Sequence, residues 1–594
     1  MSRDELIGES ILHGISRDSE ASQGKGKSMR IRSCSRLGCL LLILLLAALH
    51  WSCSNPVSDV PSTLQPTVLP NMSFSQSSEF VECYDFVEIT INVSGPSVQN
   101  PFTEVFVTGR FGKAGQGATL AVDGFCDSSD GSVFRIRFMP SDPGDYAYSV
   151  TYWQDNLQKV HTGTFKAVNA KRRGIVQADP SYPWHFIRKG TGEHYFLNGT
   201  TAFLLMGWDD EKVIRDCINR LHKLEVNRSR VLLDGRADHF WTEPIKPGKG
   251  FRAHLSPWMA ERPEDVKNPG FNYTRFNFPY WQKFERMLKH AREKDMIISV
   301  ILGWNDTSLH PAAGSEDEHR YIRYAVARLG AYSNVTWDLG DDLDGFRNDA
   351  WTHATGTLLH ELDVYEHLAT SHPMDNRHQD RTSPWFGMTS FQQWERPLHG
   401  WMLEQRQLQA GTGRIIPQVN EEYGYQDHYP RWAPYKEPAA SADANRRAAW
   451  EIVMAGCYQT TGETAKRGTG VDPDTGGGWV NGRGDGTMVM LNGYAHMVRF
   501  FTSFEWWKTE PHDELVNNGS FCLAEPGKLY VIYLPRGGNV TVTLGPGRYG
   551  AKWFNPQSGE YSTALVAEGP IWTSPAASVE KDWVILVKLI QSKP

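Results

Sequence analysis

The chain has 594 residues, and since single hydrophobic cores stop growing at roughly 250 to 300 residues, two or three domains are expected. Its 40% hydrophobic and 22% charged residues are typical of a soluble globular protein and exclude a disordered or fibrous one. The net charge of −7 provides no overall basic field for a phosphate backbone, which argues against a nucleic-acid partner.

The N-terminus has the pattern of a secretion signal. A basic stretch at 29–36 precedes an apolar run at 37–49. That run is about 13 residues long, whereas a membrane span needs roughly 20, so a cleaved signal is favoured over an anchor. Residues 1–53 are therefore predicted to be a basic leader and signal, with Met29 as a candidate true start. The protein is expected to be exported to the periplasm, the cell surface or the extracellular space.

The cysteines permit two further interpretations. Cys53 follows the apolar run as a lipid-modified cysteine would, although His50, Trp51 and Ser52 fit a lipoprotein cleavage site badly. Membrane attachment through an uncleaved signal or a lipidated Cys53 is thus the alternative to a free exported protein. The cysteines beyond Cys53 are too sparse for a disulfide framework. Cys83 and Cys126 either pair with each other or remain two buried thiols.

Four segments follow the signal. Residues 54–78, rich in Ser, Thr and Pro, predict a linker. Residues 79–168 show short alternating segments between turns, the pattern of an antiparallel β-sandwich. Residues 173–510 alternate strand-like and helical patterns, and residues 513–594 return to short strands separated by Gly and Pro. The fold class predicted is multidomain, with a (β/α)8 TIM barrel between an N-terminal and a C-terminal β-sandwich domain.

The barrel prediction depends on repeated strand-helix units. Such units form a parallel sheet that is either closed as a barrel or open and doubly wound. A barrel is favoured, because no Gly-rich phosphate loop follows the first strand. The predicted strands are Phe203–Met206, Ser229–Leu233, Ile297–Leu302, Val335–Leu339 and Ile415–Val419. The predicted helices are Lys212–Lys223, Trp281–Lys294, Glu318–Ala331, Ala354–Ala369 and Ala444–Ala455.

Two predicted strands end in acidic residues, where (β/α)8 enzymes place their reacting groups. The strand at 335–339 runs into four acids within 338–344, which form a solvated turn, a cation site or part of a catalytic site. The strand at 415–419 runs into Glu421 and Glu422, which aromatic residues follow. Two carboxylates facing each other over a cleft are what glycosidic cleavage requires.

These strand ends resemble a known family. Residues 337–342, Trp-Asp-Leu-Gly-Asp-Asp, resemble the Trp-x-x-Gly-Gly-Asp strand end of the apiosidase-like glycoside hydrolases, and 420–425 are similar to their second acidic strand end. Further resemblance lies at 195–200, 275–281 and 324–334. The N-terminal sandwich resembles the β-domain that often precedes such barrels. Residues 549–559 resemble a C-terminal collagen-binding-like module.

The resemblance implies Asp342 as acid/base and Glu422 as nucleophile. Many relatives in the wider retaining clan carry Asn-Glu where this chain has Asp341-Asp342, and the shorter Asp changes how far the proton donor reaches. Asp341 and Asp344 can raise the pKa of Asp342 as like charges. Arg230, on the predicted second strand with Arg228, either orients the nucleophile or pairs locally at the surface.

Other polar and aromatic residues follow predicted strands and are candidates for substrate binding. These candidates are Trp208, Asp209, Asp234, Trp304, Asp341, His378, Gln392 and Tyr425, together with Arg230. Residues 475–486 are Gly-rich but lack a strand-then-helix context, so we expect a flexible loop and no phosphate cradle. His310, His319 and His372 lack metal-ligand spacing, so no metal and no cofactor is predicted.

The sequence thus predicts a secreted glycoside hydrolase that cleaves a plant or algal polysaccharide, and the clan resemblance implies a retaining mechanism. Its partner would be a polysaccharide or oligosaccharide substrate, and the oligomeric state is left open. A non-catalytic surface protein that binds glycans or matrix is the alternative. A polysaccharide lyase is a third reading, which would need a Tyr or His base beside an Arg or a cation.

Overall fold

The computed structural model describes residues 68–236, 250–252, 254–304, 309–426, 441–463, 478–484 and 490–592. The predicted leader, signal and Cys53 lie outside these ranges, as do most of the linker and residues 475–477 and 485–486 of the predicted Gly-rich loop, within which Gly478–Asn481 form a short helix. Within the described ranges no helix is both long enough and apolar enough to cross a membrane.

The first domain is a two-sheet β-sandwich. One sheet has the order β1-β3-β7-β6 and the other β2-β9-β8-β4-β5. Buried and exposed residues alternate along the long strands, and the buried set from both sheets forms one core. Cys83 and Cys126 lie in that core as free thiols. The strands are Asn71–Gln76 (β1), Phe80–Glu82 (β2), Val87–Ser94 (β3), Val105–Lys113 (β4), Leu120–Asp123 (β5), Phe125–Cys126 (β6), Val133–Phe138 (β7), Gly144–Gln154 (β8) and Leu157–Val168 (β9).

The second domain is built on an eight-stranded parallel sheet that curls into a barrel. Its strands in chain order are Asn198–Thr201 (β13), Arg228–Leu232 (β14), Ile297–Ile301 (β17), Val335–Asp338 (β18), Ala369–Thr370 (β19), Phe391–Gln392 (β20), Val419–Glu422 (β21) and Tyr458–Thr461 (β22). The strand order β19-β18-β17-β14-β13-β22-β21-β20 places the first strand beside the last. Two hydrogen bonds, both at 2.8 Å, join β19 to the segment just before β20 and close the ring of strands there. Gly387 N–H donates to the Ala369 carbonyl, and Thr370 Oγ1 donates to the Met388 carbonyl.

Helices cover the barrel. They are Glu211–Lys223 (α1), Phe278–Glu293 (α2), Glu316–Leu329 (α3), Asp349–Leu362 (α4), Leu398–Gly411 (α5), Ala442–Met454 (α6), Gly478–Asn481 (α7) and Met490–Phe501 (α8). Several begin at a side chain that accepts a backbone N–H, as Ser315 does for Glu318 and Asn348 does for Trp351. Between β19 and β20 the structure places the short 3-10 turn Asn376–His378 instead of an α-helix.

The predicted barrel is confirmed, but several predicted bounds are wrong. The first strand is Asn198–Thr201, and the apolar stretch predicted in its place holds the 3-10 turn Leu205–Gly207. The seventh strand begins at Val419 rather than 415, since Pro417 has no N–H for a sheet. As a result Glu421 and Glu422 lie inside the strand. The fourth helix ends at Leu362, before the strand Ala369–Thr370.

Small antiparallel sheets complete the architecture. Val176–Ala178 (β10), Phe186–Arg188 (β11) and His194–Tyr195 (β12) precede the barrel, and Trp258–Ala260 (β15) pairs with Phe271–Phe276 (β16). The C-terminal region holds a six-stranded sheet of order β23-β24-β25-β30-β27-β28 and the pair β26-β29. These strands are Glu510–Pro511 (β23), Phe521–Glu525 (β24), Leu529–Leu534 (β25), Thr541–Thr543 (β26), Gly547–Phe554 (β27), Leu565–Glu568 (β28), Ile571–Thr573 (β29) and Trp583–Ser592 (β30).

A buried ion network joins the N-terminal sandwich to the barrel. Glu285 of α2 accepts from Arg137 of β7 at 2.8 Å and from Arg328 of α3 at 2.6 Å. Arg328 also donates to Asp127 at 2.6 Å. These groups are buried, so the removal of one member leaves an uncompensated charge away from water.

We expect Glu285→Gln to lower the free energy of the first unfolding transition by about 3–5 kcal/mol, because two buried guanidinium groups lose their shared carboxylate. Guanidinium chloride unfolding of the full chain measures it. Lys212→Met, which removes the exposed Lys212–Asp216 pair, is the control and should change stability by no more than about 0.5 kcal/mol. Equal effects of the two substitutions would contradict the interface role.

Candidate active site

The acids of the site lie at the carboxyl ends of β18 and β21, and two arginines of β14 face them. Arg228 and Arg230 are two residues apart, so both side chains point to the same side of the strand. Both are fully buried within the barrel. Parallel strands bring their carboxyl ends to one edge, which is why residues far apart in sequence meet here.

Arg230 bridges the two acidic strand ends. Its Nη1 donates to Glu422 Oε1 at 3.0 Å, and its Nη2 donates to Asp341 Oδ1 at 2.6 Å. Asp338 Oδ2 lies 3.6 Å from Nη2 and Glu421 Oε2 lies 3.8 Å from Nε. Although burial disfavours its charge, these carboxylates raise the pKa of Arg230 well above its usual value, so the guanidinium remains charged.

Arg228 forms a separate ion pair with Glu421. Its Nη1 donates to both oxygens of Glu421, at 2.7 and 2.9 Å, and its Nη2 donates to Ser299 Oγ at 2.8 Å. Glu421 is completely buried. The Glu421 carboxylate is therefore part of the packed barrel interior and not open to a substrate.

Glu422 is held by two side-chain donors. Gln392 Nε2 donates to Oε2 at 3.2 Å, and Arg230 Nη1 donates to Oε1 at 3.0 Å. Burial and the neighbouring Asp341 raise the pKa of Glu422 to about 8, while Arg230 opposes that rise. The carboxylate thus has a fixed orientation and a proton affinity that depends on its neighbours.

His372 lies between the acids. Its Nε2 is 3.8 Å from Asp341 Oδ1 and 3.8 Å from Glu422 Oε1, and its Nδ1 lies 2.9 Å from Ser390 Oγ. Burial and Arg230 lower the pKa of His372 well below its usual value, so the imidazole is neutral. It adds a polar neutral group where another charge would be costly.

Asp341 and Asp342 are neighbours in sequence but differ in environment. Asp341 is 2% exposed and bound to Arg230, whereas Asp342 is partly exposed. Asp342 has a φ of 50°, in the left-handed region where Asp is among the more tolerated residues. Burial raises the pKa of Asp342 well above its usual value, and Asp341 and Glu422 add to the rise. Asp342 therefore combines a raised pKa with contact to solvent.

An aromatic layer surrounds these groups. Phe203 lies against the Arg230 guanidinium at 5.4 Å and stacks on Trp304 at 5.6 Å between ring centroids. Tyr425 stacks on Trp479 at 5.0 Å and meets Trp394 edge to face. The apolar surroundings lower the local dielectric, which strengthens each charge interaction within the site.

The structure brings some of the predicted residues together and places others elsewhere. Asp341, Asp342, Glu422, Arg230, Gln392 and Tyr425 form one hydrogen-bonded and electrostatically coupled group, with Trp304 in the layer behind it.

Four predicted binding residues are engaged in other contacts. Trp208 is buried and donates to the Asn481 carbonyl, whereas Asp209 is exposed and pairs with Arg252. Asp234 is buried against His310 at 2.7 Å. His378 is correctly placed after the fifth strand, but its ring is exposed and contacts Asp349 of α4.

Sequence reasoning did not identify His372 as a site residue. Its strand, Ala369–Thr370, has two residues, too few for a periodic signal, and the histidine follows it by two positions. His372, Asp341 and Glu422 place three potential ligand atoms within 4.8 Å of one another. Because Arg230 already puts its positive charge against two of the three, a metal cation there would meet strong repulsion.

Asp338 provides a stability prediction. Burial raises its pKa to about 7, although Arg230 opposes the shift. A carboxyl whose folded-state pKa is raised contributes stability at low pH that is lost as pH rises through the folded value. Between pH 5.5 and 8.5 the wild type should therefore lose about 2 kcal/mol of unfolding free energy that Asp338→Asn does not lose. Parallel denaturant titrations at both pH values measure this, and equal losses in the two proteins would contradict it.

Comparisons with known proteins agree with this geometry. Residues 249–463, which include the ends of β18 and β21, match the family model "Apiosidase-like, catalytic domain". Residues 80–152 match "Domain of unknown function (DUF5060)", and residues 512–588 match "Putative collagen-binding domain of a collagenase". No curated protein matches the chain by sequence.

Solved structures share the fold. A crystal structure described as a "putative glycoside hydrolase" from Bacteroides vulgatus is 18% identical with a TM-score of 0.71, over 86% of this chain and 100% of the other. One named "Glycoside hydrolase" is 16% identical with a TM-score of 0.54, over 70% and 97%. A glycoside hydrolase family 5 structure from Bacteroides vulgatus is 15% identical with a TM-score of 0.54, over 70% and 94%. Residues 249–463 thus resemble an apiosidase-like catalytic domain, and the chain shares its fold with solved structures described as glycoside hydrolases.

Proposed function

We propose that the protein is an exported glycoside hydrolase that cleaves a plant or algal polysaccharide by double displacement, with Asp342 as acid/base and Glu422 as nucleophile. The observation that carries the proposal is the arrangement around Arg230. One guanidinium fixes the Glu422 carboxylate, while a partly exposed Asp342 with a raised pKa lies on the facing strand end.

Asp342 is the better proton donor of the two neighbouring aspartates. A general acid must keep its proton at the working pH and reach the leaving oxygen. Burial raises the pKa of both aspartates, but Arg230 opposes the rise at Asp341, which is buried against it, whereas Asp342 is partly exposed and its pKa is raised well above the usual value. Asp341 then acts as a positioning residue that anchors Arg230.

Glu422 suits the role of nucleophile, because Arg230 and Gln392 hold its two carboxylate oxygens in a fixed direction. In the first step Asp342 gives its proton to the glycosidic oxygen while a Glu422 oxygen bonds to the anomeric carbon, and the alcohol leaves. In the second step the Asp342 carboxylate takes a proton from water as the water oxygen attacks that carbon. The ester to Glu422 breaks, and both carboxyl groups return to their initial states.

Export is supported by the basic stretch at 29–36 and the apolar run at 37–49. A polysaccharide is too large to cross a cell membrane unaided, so an enzyme that attacks one must meet it outside the cytoplasm. The periplasm, the cell surface and the extracellular space all satisfy that requirement.

The proposal is tested with Asp342→Asn and Glu422→Gln on a panel of plant and algal polysaccharides. Each substitution should lower kcat by a factor of about 10³ or more, because each removes a group that bonds to the reacting atoms. Asp344→Asn is the matched control in the same turn, since its carboxylate accepts from Met374 and Asp375 N–H groups, and it should keep most of the activity. Proton NMR of the first-formed sugar should show a retained anomeric configuration. Full activity of both variants, or an inverted product, would refute the mechanism.

The pH profile tests the role of Asp341. Because Asp341 raises the pKa of Glu422 and also occupies Arg230, Asp341→Asn should lower that pKa. The nucleophile acts as a carboxylate, so the acidic limb of kcat/KM against pH should move to lower pH, by about one unit. An acidic limb that stays in place or moves to higher pH would contradict the assignment.

A further inference from the structure

A cavity of about 480 Å³ lies between the N-terminal sandwich and the barrel, away from the acids. Strand β4, the β5–β6 segment and helix α3 form its walls. Its size falls within the usual range of small-molecule sites, which are concave and mostly apolar with a few polar groups.

The floor of the cavity is aromatic. Phe276 stacks on Tyr324 at 3.9 Å between ring centroids, and Phe102 meets both rings edge to face. At the mouth, Phe106 is 59% exposed on the outer face of β4, and its cross-strand neighbour Trp153 of β8 is 38% exposed. The register makes these two exposed rings neighbours on the outer face of the sheet, so they form an apolar platform beside the cavity. The C–H face of a sugar ring packs against such a platform.

The rim of the cavity is polar but carries no excess charge. Arg323 pairs with Asp123 at 2.6 Å, and Arg320 pairs with Asp317 and with Glu316, the latter at 3.4 Å. Thr108 and His319 add groups that can donate or accept hydrogen bonds. Because Arg320 and Arg323 each have a carboxylate partner, the described residues of the rim offer no unpaired arginine to a phosphate or an acidic sugar. It suits an uncharged molecule with many hydroxyl groups.

The cavity also lies toward the end of the barrel that holds the acids. Helix α3 follows β17 and runs back along the barrel, so its first residues lie beside the carboxyl ends of the strands. Glu316, His319 and Arg320 of this first part line the cavity. This wall of the cavity therefore lies at the same end of the barrel as the acids.

We propose that this cavity, with the Phe106 and Trp153 platform at its mouth, binds a neutral stretch of polysaccharide and serves as an accessory substrate site. The choice of ligand class rests on the proposed function, whereas the site itself rests on the cavity, the exposed rings and the balanced rim.

The test uses the full chain with Glu422→Gln, so that no probe is hydrolysed. Affinity electrophoresis in gels containing galactomannan, xyloglucan or arabinan, with polygalacturonate as the anionic comparison, measures retention. Phe106→Ala should weaken retention by at least one neutral polysaccharide about five-fold, and Thr108→Arg, which fills the mouth, should do the same. Phe80→Ala is the matched control, because Phe80 is 63% exposed on the opposite edge strand β2 of the same sheet.

Unchanged retention of both mouth variants would overturn the inference. It would also be overturned if the parent protein with Glu422→Gln were retained by no neutral polysaccharide or by polygalacturonate alone. Thermal midpoints within about two degrees of the parent exclude misfolding, and Thr108→Arg serves if Phe106→Ala fails that check. Hydrolysis by the chain with Glu422 intact is scored separately. Retention through Phe106 without hydrolysis would refute the proposed function and keep the cavity site. Hydrolysis together with unchanged retention of the Phe106→Ala variant would refute the cavity site and keep the proposed function.

Discussion

The buried guanidinium of Arg230 is the interaction on which the site depends. It lies on β14 and reaches the ends of β18 and β21 at once, through Asp341 and Glu422. A planar fork with several fixed donors can hold two carboxylates in a defined relative orientation, which a lysine cannot. Removing either acid would leave a buried charge only partly compensated, so the two strand ends and the arginine are coupled in stability as well as in geometry.

The same interaction sets the protonation of the site. Arg228 is matched by Glu421, which leaves Arg230 as the cation nearest to Asp338, Asp341, Asp342 and Glu422. Burial raises the pKa values of Asp338, Asp341, Asp342 and Glu422, and the single guanidinium opposes that rise without reversing it. An acid that keeps its proton and an acid that can lose it are what a hydrolytic pair needs.

The sequence predicted the parts of the barrel that carry a periodic apolar signal and missed those that do not. Helices such as Glu211–Lys223 and strands such as Ile297–Ile301 lie within a residue or two of their predicted bounds. The strands Asn198–Thr201 and Tyr458–Thr461 are polar and yet completely buried, and Gln459 Nε2 donates to Asn198 Oδ1 between them at 2.7 Å. Their pattern resembles a loop, so no periodicity could reveal them. His372 was missed for the same reason, since a two-residue strand carries no period.

Backbone geometry explains how two adjacent aspartates take different roles. In an extended strand consecutive side chains point to opposite faces, and a continuing β18 would aim either Asp341 or Asp342 away from the site. The strand instead ends at Asp338, and the left-handed conformation of Asp342 turns the chain sharply. Asp341 thereby stays inside against Arg230, while Asp342 is near enough to feel the charges of Asp341 and Glu422 and still meets solvent. The turn therefore supplies both the buried carboxylate that fixes Arg230 and the accessible carboxyl group whose pKa is raised by burial and by the neighbouring acids.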